Sequence, residues 1–245
     1  MNSYRAELHI HTVLSPCAEV EMIPPLIIES ALDKGINLIA ITDHNASANV
    51  IAVQQAAEGT ALTVLPGMEL QTSEEVHCLC LFDHLEQLDN FQVQVSTSLP
   101  KIKNQPEHFG EQFIVDKTGD FLKREEKLLI VSSSISLNKA YNLVAALGGI
   151  LIPAHIDRKA FGLIENLGFV PTDIPIEVLE ISRNLTPAQA FSKFPQINGY
   201  SLIRSGDVHM LDQFLGANYF EMEHPSIAEI RMAIRRFGGR SLSVV

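Results

Sequence analysis

The sequence predicts an α/β fold in which about seven or eight strands alternate with helices as a barrel of β/α units. Three observations predict it. Short apolar, β-branched runs alternate with helical patterns along the chain. No Gly-x-Gly-x-x-Gly opens the first βα turn, where an open doubly wound sheet that binds dinucleotides would carry it. Polar residues collect at the C-terminal ends of many different strands, which is where barrels of this type build their sites. The open doubly wound sheet shares the alternation and is the competing architecture; in both, parallel strands are expected.

The elements follow in order. Glu7–His11 reads as a strand with Leu8 and Ile10 on one face and His9 and His11 on the other. A helix is expected from Pro24 to Lys34, because Ile23, Ile27 and Ala31 recur at i, i+4 and i+8, two prolines suit its start, and Gly35 suits its end. Asn37–Thr42 is the next strand, Ala48–Glu58 a helix ending before Gly59, and Leu62–Leu65 the following strand. Later strands are expected near Val76–Phe82, Ile150–His155, Glu177–Ser182, Ser201–Ser205 and Tyr219–Met222, and helices near Asn138–Leu147, Ala188–Lys193 and Ile227–Phe237. Ser226 and Glu229 form a capping box for the last helix, and Arg231, Arg235 and Arg236 lie toward its C-terminal end, where the dipole favours them. Ser96–Asp120 is polar, holds Pro100, Pro106, Gly110 and Gly119, and reads as the longest irregular segment: a lid over a site, or a solvated surface excursion.

Composition narrows the class. The 245 residues are 46% hydrophobic and 19% charged, which suits an ordinary globular protein, and with no dividing linker or repeat a single domain over residues 1–245 is expected. The longest apolar stretches, such as Ile36–Ile41, fall far short of the roughly 18 residues of a membrane span. The N-terminus has no basic start followed by an apolar run, so a cytoplasmic location is expected. With 18 basic against 29 acidic residues the net charge is −11, which counts against an extended nucleic-acid or anionic-lipid surface. Cys17, Cys78 and Cys80 match neither a disulfide framework nor a zinc knuckle and read as reduced thiols.

The nine histidines carry most of the information. His9 and His11 converge from one strand face, but His-x-His alone is weak evidence. Other strand ends agree. Asn37–Thr42 runs into Asp43 and His44, with Asp43 a candidate catalytic carboxylate; Val64–Leu70 carries Glu69; His77 opens an apolar run in which Cys78 and Cys80 are expected to face away from His77. Ala154-His155-Ile156-Asp157 and Gly206-Asp207-Val208-His209 close the series, with Asp207 and His209 expected to share a strand face as His9 and His11 do. Any one of these residues alone is more simply structural. Six strand ends that each bury His, Asp or Glu would carry a large uncompensated polar cost without a metal, and imidazole with carboxylate suits zinc, manganese or iron. A bridging carboxylate such as Glu69 is what two neighbouring dications require. His84, His108 and His224 fall outside the pattern and read as surface residues.

Leu8-His9-Ile10-His11-Thr12 with Ser15, Ile41-Thr42-Asp43-His44, Gly67-Met68-Glu69, His77, Ala154-His155 and Gly206-Asp207-Val208-His209 together make the chain resemble the PHP (polymerase and histidinol phosphatase) family of metal-dependent phosphoesterases. The resemblance implies a distorted (β/α)7 barrel with two or three divalent ions, typically manganese, zinc or iron, at the C-terminal ends of the strands. It assigns His9, His11, Glu69 and Asp207 to one metal, Glu69, His77 and His155 to a second, and His44 with His209 to a third. Some members have another histidine at the position of Cys17, which either completes that third site as a soft thiolate or is a plain loop cysteine. Members often follow the histidine at 155 with proline, whereas Ile156-Asp157-Arg158 follow here, making Asp157 an extra ligand or an orienter. Glu7 is expected to fix an imidazole from outside the ligand set.

Bound dications lower the pKa of a shared water and polarise phosphoryl oxygens, so hydrolysis of a phosphate ester by attack on phosphorus fits. Phosphoryl transfer also calls for a cationic clamp; Arg158, three residues after His155, and Arg183, at the end of Glu177–Ser182, are the candidates, with a surface salt bridge the plainer role for each. Three functions remain open: hydrolysis of a small phosphomonoester or nucleotide, action on an oligonucleotide end as exonuclease, phosphatase or phosphodiesterase, and a noncatalytic metal-binding regulatory or accessory module.

Overall fold

Burial organises the chain around its first strand, β1 (Asn2–Ile10), every residue of which from Ala6 onward is buried. The computed structural model describes residues 1–245, with the elements α1 (Pro24–Asp33), β2 (Leu38–Ile41), α2 (Val50–Ala56), β3 (Thr63–Gln71), β4 (His77–Leu81), α3 (Leu85–Ser98), α4 (Pro106–Phe109), β5 (Phe113–Val115), β6 (Phe121–Arg124), α5 (Leu137–Ala146), β7 (Ile150–Pro153), α6 (Leu163–Leu167), β8 (Val178–Ser182), α7 (Pro187–Lys193), β9 (Ser201–Ser205), β10 (Asn218–Met222), α8 (Ile227–Ile234) and β11 (Ser241–Val244). One sheet runs β11-β10-β1-β2-β3-β4-β7, and β8 pairs with β9.

Hydrogen bonds at one end join these two sheets into a ring. Ile156 N donates to Glu180 O (2.9 Å) from the end of β7 to β8, while Val208 N donates to His9 O and His11 N to Val208 O (both 2.9 Å) from the end of β9 to β1. The ring therefore runs β1, β2, β3, β4, β7, β8, β9, which is the distorted seven-stranded α/β barrel. It is pinned most tightly at the end where His9, His155 and Asp207 sit.

Not every strand is parallel. β4 runs antiparallel to both β3 and β7, because only residues 72–76 separate β3 from β4, too few for a crossover of about a dozen residues. The reversal has a consequence for the site: His77, the first residue of β4, lies at the same end of the barrel as the last residues of its parallel neighbours, opposite Gln71. β10 and β11 are also antiparallel and extend the sheet beyond β1.

Helices α1, α2, α3, α5 and α7 cover the outside of the strands with one apolar face each, as with Ile27 and Ala31 of α1. α8 lies across the opposite end of the barrel. Arg231 donates to Gly149 O ahead of β7 (2.7 Å), Ser201 Oγ at the start of β9 donates to Ile234 O (2.9 Å), and Ile227, Ile230 and Ala233 pack with Leu65, Leu79, Ile152 and Val178. Ser226 Oγ accepts from Glu229 N as the expected cap, but the Glu229 carboxylate binds Arg240 instead of closing the box, and Arg231 and Arg235 pair with Glu177.

The sequence pattern did not predict α3, α4, β5, β6, α6 or β11. The α3 signal is present, since Leu88, Phe91 and Val95 share its buried face and Gln87 Oε1 accepts from both Asp83 N and His84 N. Ser96–Asp120 is correspondingly less irregular than expected. It holds the end of α3, all of α4 and β5, and it leads into β6. Phe113 N donates to Val13 O (2.8 Å), and Asn49 ties down both Phe113 O and Val115 N (3.0 Å each), so the segment flanks the loops after β1 and β2 and does not line the pocket of the histidine cluster.

Candidate metal centre

Glu69 is the centre of the site. Gly67, Met68 and Glu69 lie in the second half of β3, which carries Glu69 into the ring at the pinned end; its carboxylate is almost wholly buried. Five imidazoles from four segments surround it. His44 Nδ1 is 2.8 Å from Oε2, His77 Nδ1 2.9 Å from Oε1, His9 Nε2 and His155 Nε2 3.2 Å from Oε1, and His11 Nε2 3.4 Å from Oε2. Asp207 enters from the far side, with Oδ1 3.2 Å from His9 Nε2 and 3.4 Å from His11 Nε2. Burial acts to raise the Glu69 pKa, yet the imidazoles of His77, His9 and His44 hold it well below the usual carboxylate range.

The surrounding chain sets which ring nitrogen faces inward. His9 Nδ1 donates to Glu180 Oε1 (2.9 Å), which leaves its Nε2 turned to Glu69 and Asp207. His11 Nδ1 donates to Ser15 Oγ (2.9 Å), and Ser15 in turn donates to Asp43 Oδ1 (2.7 Å). Asp43 also accepts from Thr12 N and Thr12 Oγ1 (2.7 Å each), so both its oxygens are engaged away from the cluster. Asp43, expected as a catalytic carboxylate, is thus joined to His11 through Ser15.

The Asp207–His209 pair also differs from expectation. These residues do not share a strand face. β9 ends at Ser205, and Asp207 sits in a turn with φ +50°, held by the pairing of Val208 with Ile10. His155 (φ +30°) and Asn45 beside His44 (φ +51°) are likewise in the left-handed region, which non-glycine residues rarely enter and which concentrates at functional sites. Asp157 and Glu7 both work as braces. Asp157 accepts from Ser182 N (2.7 Å) and Ser182 Oγ (2.6 Å), tying the loop after β7 to β8, and does not point at the cluster. Glu7 touches no imidazole; it accepts from Gly206 N, Leu215 N and Gly216 N (2.9–3.1 Å), and burial pushes it up to about 7 against the pull of those donors. Glu180 holds the imidazole instead. Its signal was an acidic residue in the middle of the otherwise apolar Val178-Leu179-Glu180-Ile181 run.

Within the cluster three groups of donors come within 4.8 Å of one another: His9, His11 and Glu69; His44, Glu69 and His77; and His11, His44 and His209; a fourth group, Glu223, His224 and Glu229, lies apart from it at α8. His44 thus stands between the second and third groups rather than in the third alone. His209 Nδ1 lies 3.0 Å from Asp207 O, and its Nε2 is 3.1 Å from Cys17 Sγ. Burial opposes ionisation of that thiol, but hydrogen bonds with His209 and His44 bring Cys17 down to about 6. Cys78 and Cys80 are buried on the other face of β4, among the residues that pack on the helices.

The donor set fits divalent metals. His44 Nδ1, Glu69 Oε2, His77 Nε2, His155 Nδ1 and Asp207 Oδ1 are buried without a hydrogen-bond partner, although His44 and Glu69 approach to 2.8 Å. Buried polar atoms left in this state are costly, and a cation among them removes the cost.

Two pockets open on the cluster. One, of about 220 Å³, is lined by His44, Glu69, His77 and His155 with Arg158 and Phe161 at its edge. The other, of about 320 Å³, has no hydrophobic residue in its lining, where Arg158, Arg183, Asn184 and Gln213 join Asp207 and His209. Arg158 Nη1 pairs with Asp207 Oδ2, and Arg183 Nη2 donates to Gln213 O (3.0 Å). His84, His108 and His224 are exposed and apart from the cluster.

A family model described as the PHP domain matches residues 7–172. Among solved structures, the lesion-specific endonuclease PfuEndoQ from Pyrococcus furiosus superposes with a TM-score of 0.72 at 19% identity, covering 98% of this chain and 58% of the endonuclease. The chain thus spans a little over half the length of that protein. A protein of Bifidobacterium adolescentis assigned as a metal-dependent phosphoesterase gives 0.55 at 18% identity, with 84% and 87% covered, and an amidohydrolase from Chromobacterium violaceum gives 0.56 at 17%, with 86% and 90% covered. No curated protein matches.

Proposed function

The chain belongs to the PHP domain family, and from that premise we propose that it is a metal-dependent hydrolase of phosphate esters acting on a small phosphomonoester or nucleotide. The observation that carries this reading is the single buried carboxylate of Glu69 within 3.4 Å of five imidazoles, a bridging arrangement suited to two or three dications of manganese, zinc or iron. His9, His11, Glu69 and Asp207 would hold one ion, His44, His77 and His155 with Glu69 a second, and His11, His44, His209 and Cys17 a third. When bound, such ions supply charge neutralisation at phosphorus and a water of lowered pKa.

The protein's own residues do the rest. Glu180 and Ser15 fix the inward nitrogens of His9 and His11, so no ligand has to reorient during turnover. The half-exposed Arg158 turns from Asp207 to clamp a phosphoryl oxygen as substrate enters, and Arg183 with Asn184 receives polar groups of the substrate in the adjoining pocket. No helix is long and apolar enough to cross a membrane, and a reducing, cytoplasmic setting suits the three free thiols.

A second reading, hydrolysis at an oligonucleotide end, takes its support from the fold shared with a lesion-specific endonuclease; the net charge of −11 counts against a long groove but not a short strand. The test is phosphate release from a panel of phosphomonoesters and short labelled oligonucleotides by protein loaded with manganese, zinc or iron, beside His9→Ala. Turnover that disappears in the variant supports hydrolysis, and strand shortening selects the nuclease. Silence from folded, metal-loaded protein points to an accessory module.

A further inference from the structure

One aromatic ring stands beside the metal cluster. Phe161 lies on the loop after β7 that also carries His155 and Arg158, and its ring lies over the imidazole of His77 with centroids 4.4 Å apart and planes 3° from parallel. One imidazole therefore separates it from Glu69, since His77 Nδ1 is 2.9 Å from that carboxylate. Phe161 is 38% exposed. One face rests on His77, and Phe161 lines the same pocket as His44, Glu69, His155 and Arg158.

The backbone there is strained and pinned. Phe161 has φ +61°, a conformation that bulky residues rarely adopt. Three features hold it in place: Phe161 O accepts from His77 N (3.0 Å), Arg158 N donates to His155 O (2.9 Å), and a Cβ on the following Gly162 would stand 2.2 Å from Arg158 O. A metal-site histidine, a guanidinium and a partly exposed aromatic ring are thus fixed at three-residue spacing on one tight loop.

The geometry points to Phe161 as the stacking platform for a nucleobase, so that the phosphate ester hydrolysed at this centre is carried by a nucleotide. The inference rests on the phosphoesterase reading above and names its substrate class. The base lies on the free face of Phe161, Arg158 takes a phosphate oxygen, and the ribose bridges the two. Stacking is tolerant of base identity, so the platform selects for a flat heterocycle and not for one sequence. A free mononucleotide and the last nucleotide of a short strand present the same chemistry.

The test compares adenosine 5′-monophosphate, ribose 5-phosphate and a 5′-phosphorylated trinucleotide as substrates of the manganese-loaded protein, in the wild type, Phe161→Leu and Phe161→Trp. Expected is a rise in KM of about 10-fold for one or both base-bearing substrates in Phe161→Leu, with kcat little changed, no shift for ribose 5-phosphate, and recovery in Phe161→Trp. Which of the two base-bearing substrates responds more identifies the source. Equal KM shifts for all three substrates, or a wild type that treats adenosine monophosphate and ribose 5-phosphate alike with the trinucleotide unaffected by the substitution, overturns the platform. Calorimetric binding of the same compounds keeps the two readings apart: absence of turnover sinks the phosphoesterase reading, whereas a base-dependent affinity lost in Phe161→Leu still supports the platform, and equal affinities overturn it.

Discussion

Glu180 Oε1 lies 2.9 Å from Nδ1 of His9 and also accepts from the backbone N of His155 (3.0 Å), so one oxygen on β8 fixes both an imidazole from β1 and the start of the loop after β7. The carboxylate stands where the two halves of the ring meet and sets the His9 tautomer. Partners of this kind are worth about 10- to 100-fold in metal affinity. Glu180→Gln, which keeps one acceptor oxygen but loses the negative charge beside His9, is expected to weaken metal binding in that range while the circular dichroism spectrum stays unchanged. Competition against a chromophoric chelator measures it. Wild-type affinity in the variant would mean that His9 is oriented by the barrel alone.

Glu69 contributes to two of the three donor groups of the cluster, so its loss removes more than one site. In Glu69→Ala the five imidazoles remain but the shared oxygens do not. Metal content after dialysis, by elemental analysis, is expected to fall by more than one equivalent per chain, with activity lost. A fall of a single equivalent would show that the carboxylate serves one ion only.

The residues of the cluster were legible because they follow strand periodicity and strand ends: His9 and His11 alternate with Leu8 and Ile10, and His44 and His155 follow apolar runs. β8 and β9 were legible for the same reason, each a short apolar run between turn signals. What was not legible depends on pairing across the barrel. That Glu180 and not Glu7 holds His9 is settled by the ring closure of residues 171 apart, and no local pattern encodes it. The direction of β4 was readable in principle from the shortness of residues 72–76, but the alternation of β and α elements pointed to a parallel strand. Asp207 and His209 share the spacing of His9 and His11, yet the left-handed turn at Asp207 is fixed by Val208 bonding to His9 and His11, a contact distant in sequence.

Glu7 is the structural counterpart of Glu180. It is fully buried and accepts three backbone N–H groups, from Gly206, Leu215 and Gly216, which join the end of β9 and the approach to β10 onto β1. Removing the acceptor leaves these donors unsatisfied in the core, at about 1–3 kcal/mol for each group that water does not reach. Glu7→Ala is expected to lower unfolding free energy by about 3 kcal/mol, measured by urea denaturation of the metal-free protein. Glu7→Gln keeps one acceptor oxygen and is expected to lose less. A neutral alanine variant would place the stability of that seam elsewhere.

At the opposite end of the barrel, Glu229 of α8 accepts from Arg240 Nε (3.0 Å) and Nη2 (2.9 Å) and from Glu223 N (2.8 Å), which binds β10, α8 and the approach to β11 together. The hydrogen bond from Arg240, then that from Glu223 N, lowers the Glu229 pKa below its ordinary 4.5. A carboxylate whose folded pKa is depressed adds stability that is fully present above its unfolded value and is lost as pH falls through the folded one. The melting temperature of Glu229→Gln is therefore expected to lie below that of the wild type at pH 7, with a constant gap down to about pH 5. Below 4.5 the gap closes as the wild-type carboxylate takes up its proton. A gap that does not change with pH would assign the role of Glu229 to packing and not to charge.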